Sequence, residues 1–109
     1  MEVSTQTERA LPLIGLARRA GRALTGTFLV QKAVADGRGV LVVVATDASE
    51  KTKKKLKNSC HFYEVSCLEY ATKAELSHIT GKENIAAVCI TDPNFADGIM
   101  KKAASKHNT

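Results

Sequence analysis

The chain has 109 residues, 16 lysines and arginines against 11 aspartates and glutamates, and three cysteines. This length fits one domain, 1–109, with a hydrophobic core of its own. The net charge of +5 favours an anionic partner without identifying it. Cys60, Cys67 and Cys89 are not spaced as metal ligands, which predicts buried, reduced thiols and a cytoplasmic protein. Segment 1–9 lacks the apolar block of a signal peptide, and no apolar run is long enough to span a membrane, so we expect no membrane partner.

An amphipathic first helix is predicted to begin near Leu11, with Pro12 in its first turn, and to end at Gly21. We expect residues 1–7 and 106–109 to be frayed. The apolar face of the helix would comprise Leu11, Ile14, Leu16, Ala17 and Ala20. The basic residues near its end suit either the helix dipole or RNA contact; they are Arg18, Arg19 and Arg22.

The segment 21–47 is the centre of the prediction. Ala23–Thr25 fits a brief strand, after which Gly26 opens a helix of about ten residues. The β-branched run Val40–Ala45 then predicts a strand that is covered on both faces. The residues of the helix that face the core would be Val30, Ala33 and Val34.

The other side of this second helix carries Phe28 and Lys32 one turn apart. Its N-terminus at Gly26 presents unpaired backbone N–H groups, and such termini bind phosphates. Arg22 and Lys32 would flank the spot with positive charge. Two interpretations stay open, a site for a nucleic-acid backbone and a solvated lysine at an ordinary corner between a strand and a helix.

A third helix is predicted from the N-cap residue Ser49 to about Cys60. Most of its surface is lysine, which either stays solvated or attracts phosphates at long range. These lysines are Lys51, Lys53, Lys54, Lys55 and Lys57.

Two more strands, Val65–Tyr70 and Ile85–Thr91, surround a short helix. Thr72 and Glu75 form a capping-box pattern at the start of this helix, and Gly81 closes it.

A last helix begins at the Asp92-Pro93 pair, an N-cap followed by proline. Since strands alternate with helices, the predicted fold is a three-layer α/β/α sandwich around a four-stranded mixed sheet. The loops before residue 26, after residue 45 and after residue 81 would then form one surface. The last helix would bury Phe95, Ala96, Ile99, Met100, Ala103 and Ala104.

No set of residues in the sequence converges on catalysis. The three histidines, His61, His78 and His107, have no partners that would make a triad or a metal site. Asp47 and Asp92 follow strands, where an α/β enzyme would place carboxylates, but helix capping explains both. We therefore expect no enzyme activity, no catalytic residue, no metal and no cofactor.

Several segments together resemble a known family. They are Gly15–Arg22, Gly26 with Lys32–Val34, Leu41–Ser49, Leu76 with Gly81–Glu83, and Thr91-Asp92. From about Leu11 to Lys102 the chain resembles the ribosomal "L-seven-Ae / L-thirty-e" family of kink-turn RNA-binding proteins, in particular its small bacterial members. The resemblance implies the same α/β/α sandwich and a function in binding and stabilising bent RNA.

In this family the helix after the glycine enters a kinked RNA groove and reads sheared G·A pairs. The motif is glycine, any residue, asparagine, glutamate, two residues and lysine, and Gly26 and Lys32 match it. Phe28 and Leu29 replace the two polar residues, so we expect weaker or less base-specific binding. The RNA-binding residues implied are Arg22, Thr25, Gly26, Thr27, Phe28, Leu29, Lys32, Asp47, Lys82 and Glu83.

The expected partners are therefore a kink-turn in ribosomal or structured messenger RNA, and the ribosome itself, bound by a monomer. The alternative is a protein-interaction module of the translation or transcription machinery, which the exposed Phe28–Leu29 pair would favour.

Overall fold

The computed structural model describes the backbone of residues 2–105 and the side chains of residues 10–104. Within that range five helices alternate with four strands, as predicted. None of these helices is long and apolar enough to cross a bilayer. The elements are α1 (Glu2–Arg19), β1 (Ala23–Thr25), α2 (Thr27–Ala35), β2 (Leu41–Val44), α3 (Glu50–Tyr63), β3 (Ser66–Glu69), α4 (Lys73–Thr80), β4 (Ala87–Ile90) and α5 (Pro93–Ser105).

The four strands form one mixed sheet in the order β1-β4-β2-β3. β2 runs parallel to β3, and β4 runs antiparallel to both of its neighbours. α1, α4 and α5 pack together on one face, and α2 and α3 pack on the other. Every residue of β2 and β4 is consequently buried, which confirms the predicted strand covered on both faces.

The helix starts follow the predicted capping residues. The Ser49 hydroxyl accepts a hydrogen bond from the Thr52 N–H (3.1 Å) at the start of α3. Thr72 and Glu75 form both bonds of the capping box at the start of α4. Asp92 accepts from the first amides of α5. These signals work because each is complete within four residues of sequence.

The first helix is longer than predicted. It begins at Glu2, so Pro12 lies inside the helix and residues 2–7, which we expected to be frayed, belong to it. The same expectation for residues 1 and 106–109 lies outside the described residues. Ile14 and Ala17 are buried as predicted, whereas Leu16 and Ala20 are exposed.

Three other residues that we expected to be buried are exposed. Met100 and Ala104 lie outside the stripe of α5 that faces the sheet. Cys67 is exposed on the edge strand β3, while the other two cysteines are buried.

A close contact between α1 and α4 fixes the position of the loop after α4. A Cβ atom on Gly15 would lie 2.9 Å from Ile79 Cγ1 and 3.2 Å from the Ile79 carbonyl oxygen. A larger residue here would force the Ile79 side chain or the backbone of one helix to shift. The packing brings the end of α4, with Gly81 and Lys82, close to the end of α1.

Candidate nucleic-acid interface

Three loops meet at one pole of the sheet. The Gly26 N–H donates to the Ala87 carbonyl oxygen (3.0 Å), and the Ala45 N–H donates to that of Ala86 (2.8 Å). Because loop 81–86 leads directly into β4, it lies at the same end as the start of α2 and the end of β2. The antiparallel position of β4 between β1 and β2 thus produces the expected common surface.

The start of α2 lies at this pole without a side-chain cap. Gly26 is its N-cap residue, with φ 94° and ψ 146°, and its carbonyl accepts from the Val30 N–H (2.9 Å). That backbone conformation is accessible to glycine and strained for other residues. The N–H groups of the first turn therefore have no intrahelical acceptor, and they point to where an anion would bind.

The exposed side of α2 combines apolar and cationic groups. Phe28 is 77% exposed and Leu29 is 42% exposed, while Val30 is buried. The Lys32 side chain is 57% exposed, and its Nζ lies 3.5 Å from Asp36 Oδ2, one turn further along. Lys32 is therefore accessible to a ligand as the sequence pattern required, and Thr27 in the first turn of α2 is also exposed.

An open cleft of about 310 Å³ runs along the outer edge of β1, and we call it the β1 cleft. Lys82 from the loop after α4 and Arg18 from α1 line it together with Leu29 of α2. Among the described side chains, no acidic group lies within 4.0 Å of either cation. The complete lining is Arg18, Gly21, Ala23, Leu24, Thr25, Leu29 and Lys82.

β1 also presents backbone hydrogen-bonding groups to this cleft. It is an edge strand, and its other side pairs with β4. The backbone of Arg22 bonds to β4 (2.9 Å), and that of Gly26 does the same (3.0 Å). Since bonded and non-bonded residues alternate in an antiparallel pair, the N–H and C=O groups of Ala23 and Thr25 face the open edge.

Arg22 does not flank the start of α2, contrary to our expectation. It precedes β1, and its Nε lies 3.9 Å from Asp92 Oδ2 at the opposite end of the sheet. At the usual rise of a strand, the four residues from Arg22 to Gly26 span about 13 Å. Of the two arginines, Arg18 lines the β1 cleft and Arg22 does not, and sequence proximity to a helix end could not distinguish them.

Asp47 connects two loops at the pole. Its Oδ1 accepts a hydrogen bond from the Lys73 N–H (2.8 Å) at the start of α4. Nearby, the Thr46 hydroxyl donates to the Ala71 carbonyl oxygen (3.1 Å). Asp47 is thus a capping carboxylate, but for α4, which is distant in sequence, and not for the adjacent α3. Glu83 is exposed in the loop after α4.

Comparisons with known proteins agree with this architecture. A model of the Ribosomal protein L7Ae/L30e/S12e/Gadd45 family matches residues 8–100. The chain belongs to this family.

Two bacterial proteins are similar to most of the chain. RNA-binding protein YlxQ from Enterococcus faecium is 44% identical over 89 residues, which are 82% of this chain and 85% of that protein. RNA-binding protein YlxQ from Bacillus subtilis (strain 168) is 37% identical over 89 residues, which are 82% of this chain and 89% of that protein.

Solved structures share the fold. A protein of unknown function from Bacillus halodurans C superposes with a TM-score of 0.82 at 33% identity, over 86% of this chain and 95% of that one. The 15.5kD RNA binding protein of Giardia lamblia gives a TM-score of 0.76 at 17% identity, over 99% of this chain and 90% of that one. At that identity the second likeness concerns the fold alone.

Two exposed positions of α2 differ from the motif that the resemblance implies. Phe28 and Leu29 stand where the resemblance places asparagine and glutamate, and both side chains are exposed. Neither side chain can donate or accept a hydrogen bond. Gly26 and Lys32 keep the motif's backbone turn and its cation.

Proposed function

We propose that this chain is a monomeric cytoplasmic RNA-binding protein that binds and stabilises a kink-turn or a similarly bent RNA, in the ribosome or a structured messenger RNA. The observation that carries the proposal is the β1 cleft beside the uncapped start of α2. There Arg18 and Lys82 meet from separate elements, without acidic partners among the described side chains. The names of the two YlxQ relatives, which are RNA-binding proteins, support the RNA-binding part of this proposal.

The shape of this surface favours a bent backbone over a straight one. A sharp bend brings two stretches of phosphates close together, and their mutual repulsion opposes the bend. Cations gathered in a cleft, together with the helix N-terminus, bind such a concentration of charge best. Because a ligand stabilises the state to which it binds more tightly, the protein would shift the RNA toward its bent form.

Base recognition is expected to be weaker than in family members with the full motif. Each lost bidentate contact to a base edge removes about 1–3 kcal/mol of discrimination. Phe28 offers a ring for stacking or packing instead, and Lys32 offers a charge for phosphate or a guanine edge. Affinity should therefore depend more on RNA shape than on sequence.

A direct competition tests this function. The protein is titrated into a labelled kink-turn RNA against an unkinked duplex of equal length, at about 50 mM and about 200 mM salt. Purely electrostatic binding would weaken for both RNAs alike, whereas shape recognition preserves the preference for the kink-turn. Equal affinity for the two RNAs at the higher salt concentration would contradict the proposal.

One observation favours a second candidate function. Phe28 and Leu29 form an exposed apolar pair beside the β1 cleft, which suits a protein partner from the translation or transcription machinery. Affinity purification with and without ribonuclease separates the two functions. An RNA-binding role predicts that associated proteins are lost after ribonuclease treatment, whereas their retention would support the interaction module.

A further inference from the structure

We propose that α3 carries a second RNA-binding surface, which holds single-stranded RNA adjoining the bent element. We call it the α3 stripe. This inference rests on the proposed function and extends it beyond the pole. The α3 stripe consists of Lys51, Lys54, Lys55, Asn58 and Phe62.

The members of the α3 stripe lie on one side of the helix. Lys51, Lys55, Asn58 and Phe62 are spaced by four, three and four residues, which places them in one line along the cylinder. All are exposed, while Cys60 on the opposite side is buried. At 1.5 Å per residue the line is about 16 Å long.

Two lysines of α3 form ion pairs with nearby glutamates, and among the described residues the lysines of the α3 stripe do not. Lys57 Nζ lies 2.6 Å from Glu69 Oε2, and Lys53 Nζ lies 3.6 Å from carboxylates of both Glu50 and Glu69. The hydrogen bond to Glu69 raises the pKa of Lys57.

The lysines of the α3 stripe have no such compensation. Within the described residues, no acidic side chain lies within 4.0 Å of Lys51, Lys54 or Lys55. Like charges one turn apart repel each other along a helix, and a bound polyanion relieves that repulsion. The local acidic residues therefore leave this side of α3 available for phosphates.

Phe62 completes the α3 stripe with an aromatic surface. Its ring is 77% exposed, so it contributes little to the core. The neighbouring Tyr63 ring packs against it edge to face, with centroids 4.8 Å apart and an interplanar angle of 84°. Such a contact holds the ring in place while most of it stays accessible for stacking a base.

The position of α3 favours nucleic acid over an acidic protein segment. α3 starts directly after the loop that ends β2, at the pole where α2 also starts, and the two helices pack side by side. An RNA strand that leaves the β1 cleft across this pole thus reaches Lys51 first and Phe62 last. Lysines followed by an exposed ring are the combination by which single strands are bound without sequence preference.

Binding measurements on two RNAs test the inference. The first is the bent element alone, and the second carries single-stranded extensions of about ten nucleotides. The test variants are Lys51→Gln with Lys55→Gln, and Phe62→Ala. The control is Lys101→Gln with Lys102→Gln on α5, which removes the same charge from the other face of the sheet.

We expect the wild type to bind the extended RNA more tightly than the bent element. The double variant of α3 should lose this gain, and its salt slope on the extended RNA should fall by about 1.4, or 0.7 for each of two phosphates. Phe62→Ala should weaken binding of the extended RNA about fivefold or more. Unchanged binding of the bent element shows that the variants are folded.

The proposal for the α3 stripe is refuted if the wild type binds the extended RNA no more tightly than the bent element. It is refuted too if the α5 control lowers the salt slope as much as the double variant of α3. It is also refuted if an acidic peptide such as polyglutamate displaces the extended RNA from α3 as well as a single strand does. In these cases binding of the bent element, and with it the proposed function, stands. Failure of the wild type to bind the bent element at all would refute both.

Discussion

Replacing Arg18 and Lys82 by glutamine removes the two cations that line the β1 cleft, and it should weaken RNA binding in a salt-dependent way. The two residues belong to α1 and to the loop after α4, and the contact of Gly15 with Ile79 brings these elements together. Neither has an acidic partner among the described side chains, so the substitution breaks no ion pair there.

The magnitude follows from the number of phosphates that the cations neutralise. Each contributes about 0.7–0.9 to the slope of log Kobs against log salt concentration, so the loss of two lowers the slope by about 1.4–1.8. Over a fourfold rise in salt, from about 50 to about 200 mM, the advantage of the wild type should then shrink about tenfold.

Fluorescence polarisation with a labelled kink-turn RNA measures these slopes. The matched control is Lys57→Gln with Lys101→Gln, which removes two lysines that are each paired with a carboxylate and do not line the cleft. A slope that falls equally in both double variants would show that net charge, and not the β1 cleft, determines binding. This result would refute the reasoning.

Three further predictions concern the pole. Lys32→Ala should weaken binding and lower the salt slope by about one, while Lys101→Ala leaves the slope nearly unchanged. Gly26→Ala should reduce the free energy of unfolding by about 2 kcal/mol, because φ 94° is strained for alanine, as urea denaturation would show. Gly81→Ala, at a left-handed position, is the comparison and should cost only about 1 kcal/mol. If Gly81→Ala lost as much stability as Gly26→Ala, or more, the strain assigned to Gly26 would be contradicted. Asp47→Ala should cost about 1 kcal/mol by removing the acceptor of the Lys73 N–H at the start of α4, whereas Asp47→Asn keeps an acceptor and most of the stability; equal losses in both would exclude this hydrogen-bonding role.

The elements of the fold were predictable where the signal is local. Ser49, the Thr72–Glu75 box and the Asp92-Pro93 pair each complete a cap within a few residues, and all three begin helices in the structure. The burial of β2 was likewise predictable, because its residues are all apolar. The sequence predicts too late a start for α1, because proline usually occupies a first turn and Pro12 lies inside this helix.

The composition of the site depended on tertiary packing and was only partly predictable. Thr25, Leu29 and Lys82 were expected at the site and line the β1 cleft together. Arg18 and Arg22 are equivalent in local sequence, and only the packing of α1 on α4 selects Arg18 for the cleft. The three extended residues of β1 carry Arg22 to the opposite end.

Strand order explains the role of Asp47 in the same way. In sequence it precedes α3, but β2 lies beside β3, so its carboxylate meets the first amide of α4 after β3 ends. The sequence predicts a capping carboxylate at the adjacent α3, and this is wrong as to the helix, because pairing between strands is not visible in a local window.

Mapping the RNA contact surface by amide chemical shifts tests the central claim most directly. The ¹⁵N-labelled protein is titrated with an unlabelled kink-turn RNA. We predict the largest shifts at the start of α2, from Gly26 to Leu29, and at Lys82 in the loop after α4. Shifts concentrated on α5, or spread evenly over all lysine-bearing surfaces, would contradict the claim that this pole binds RNA.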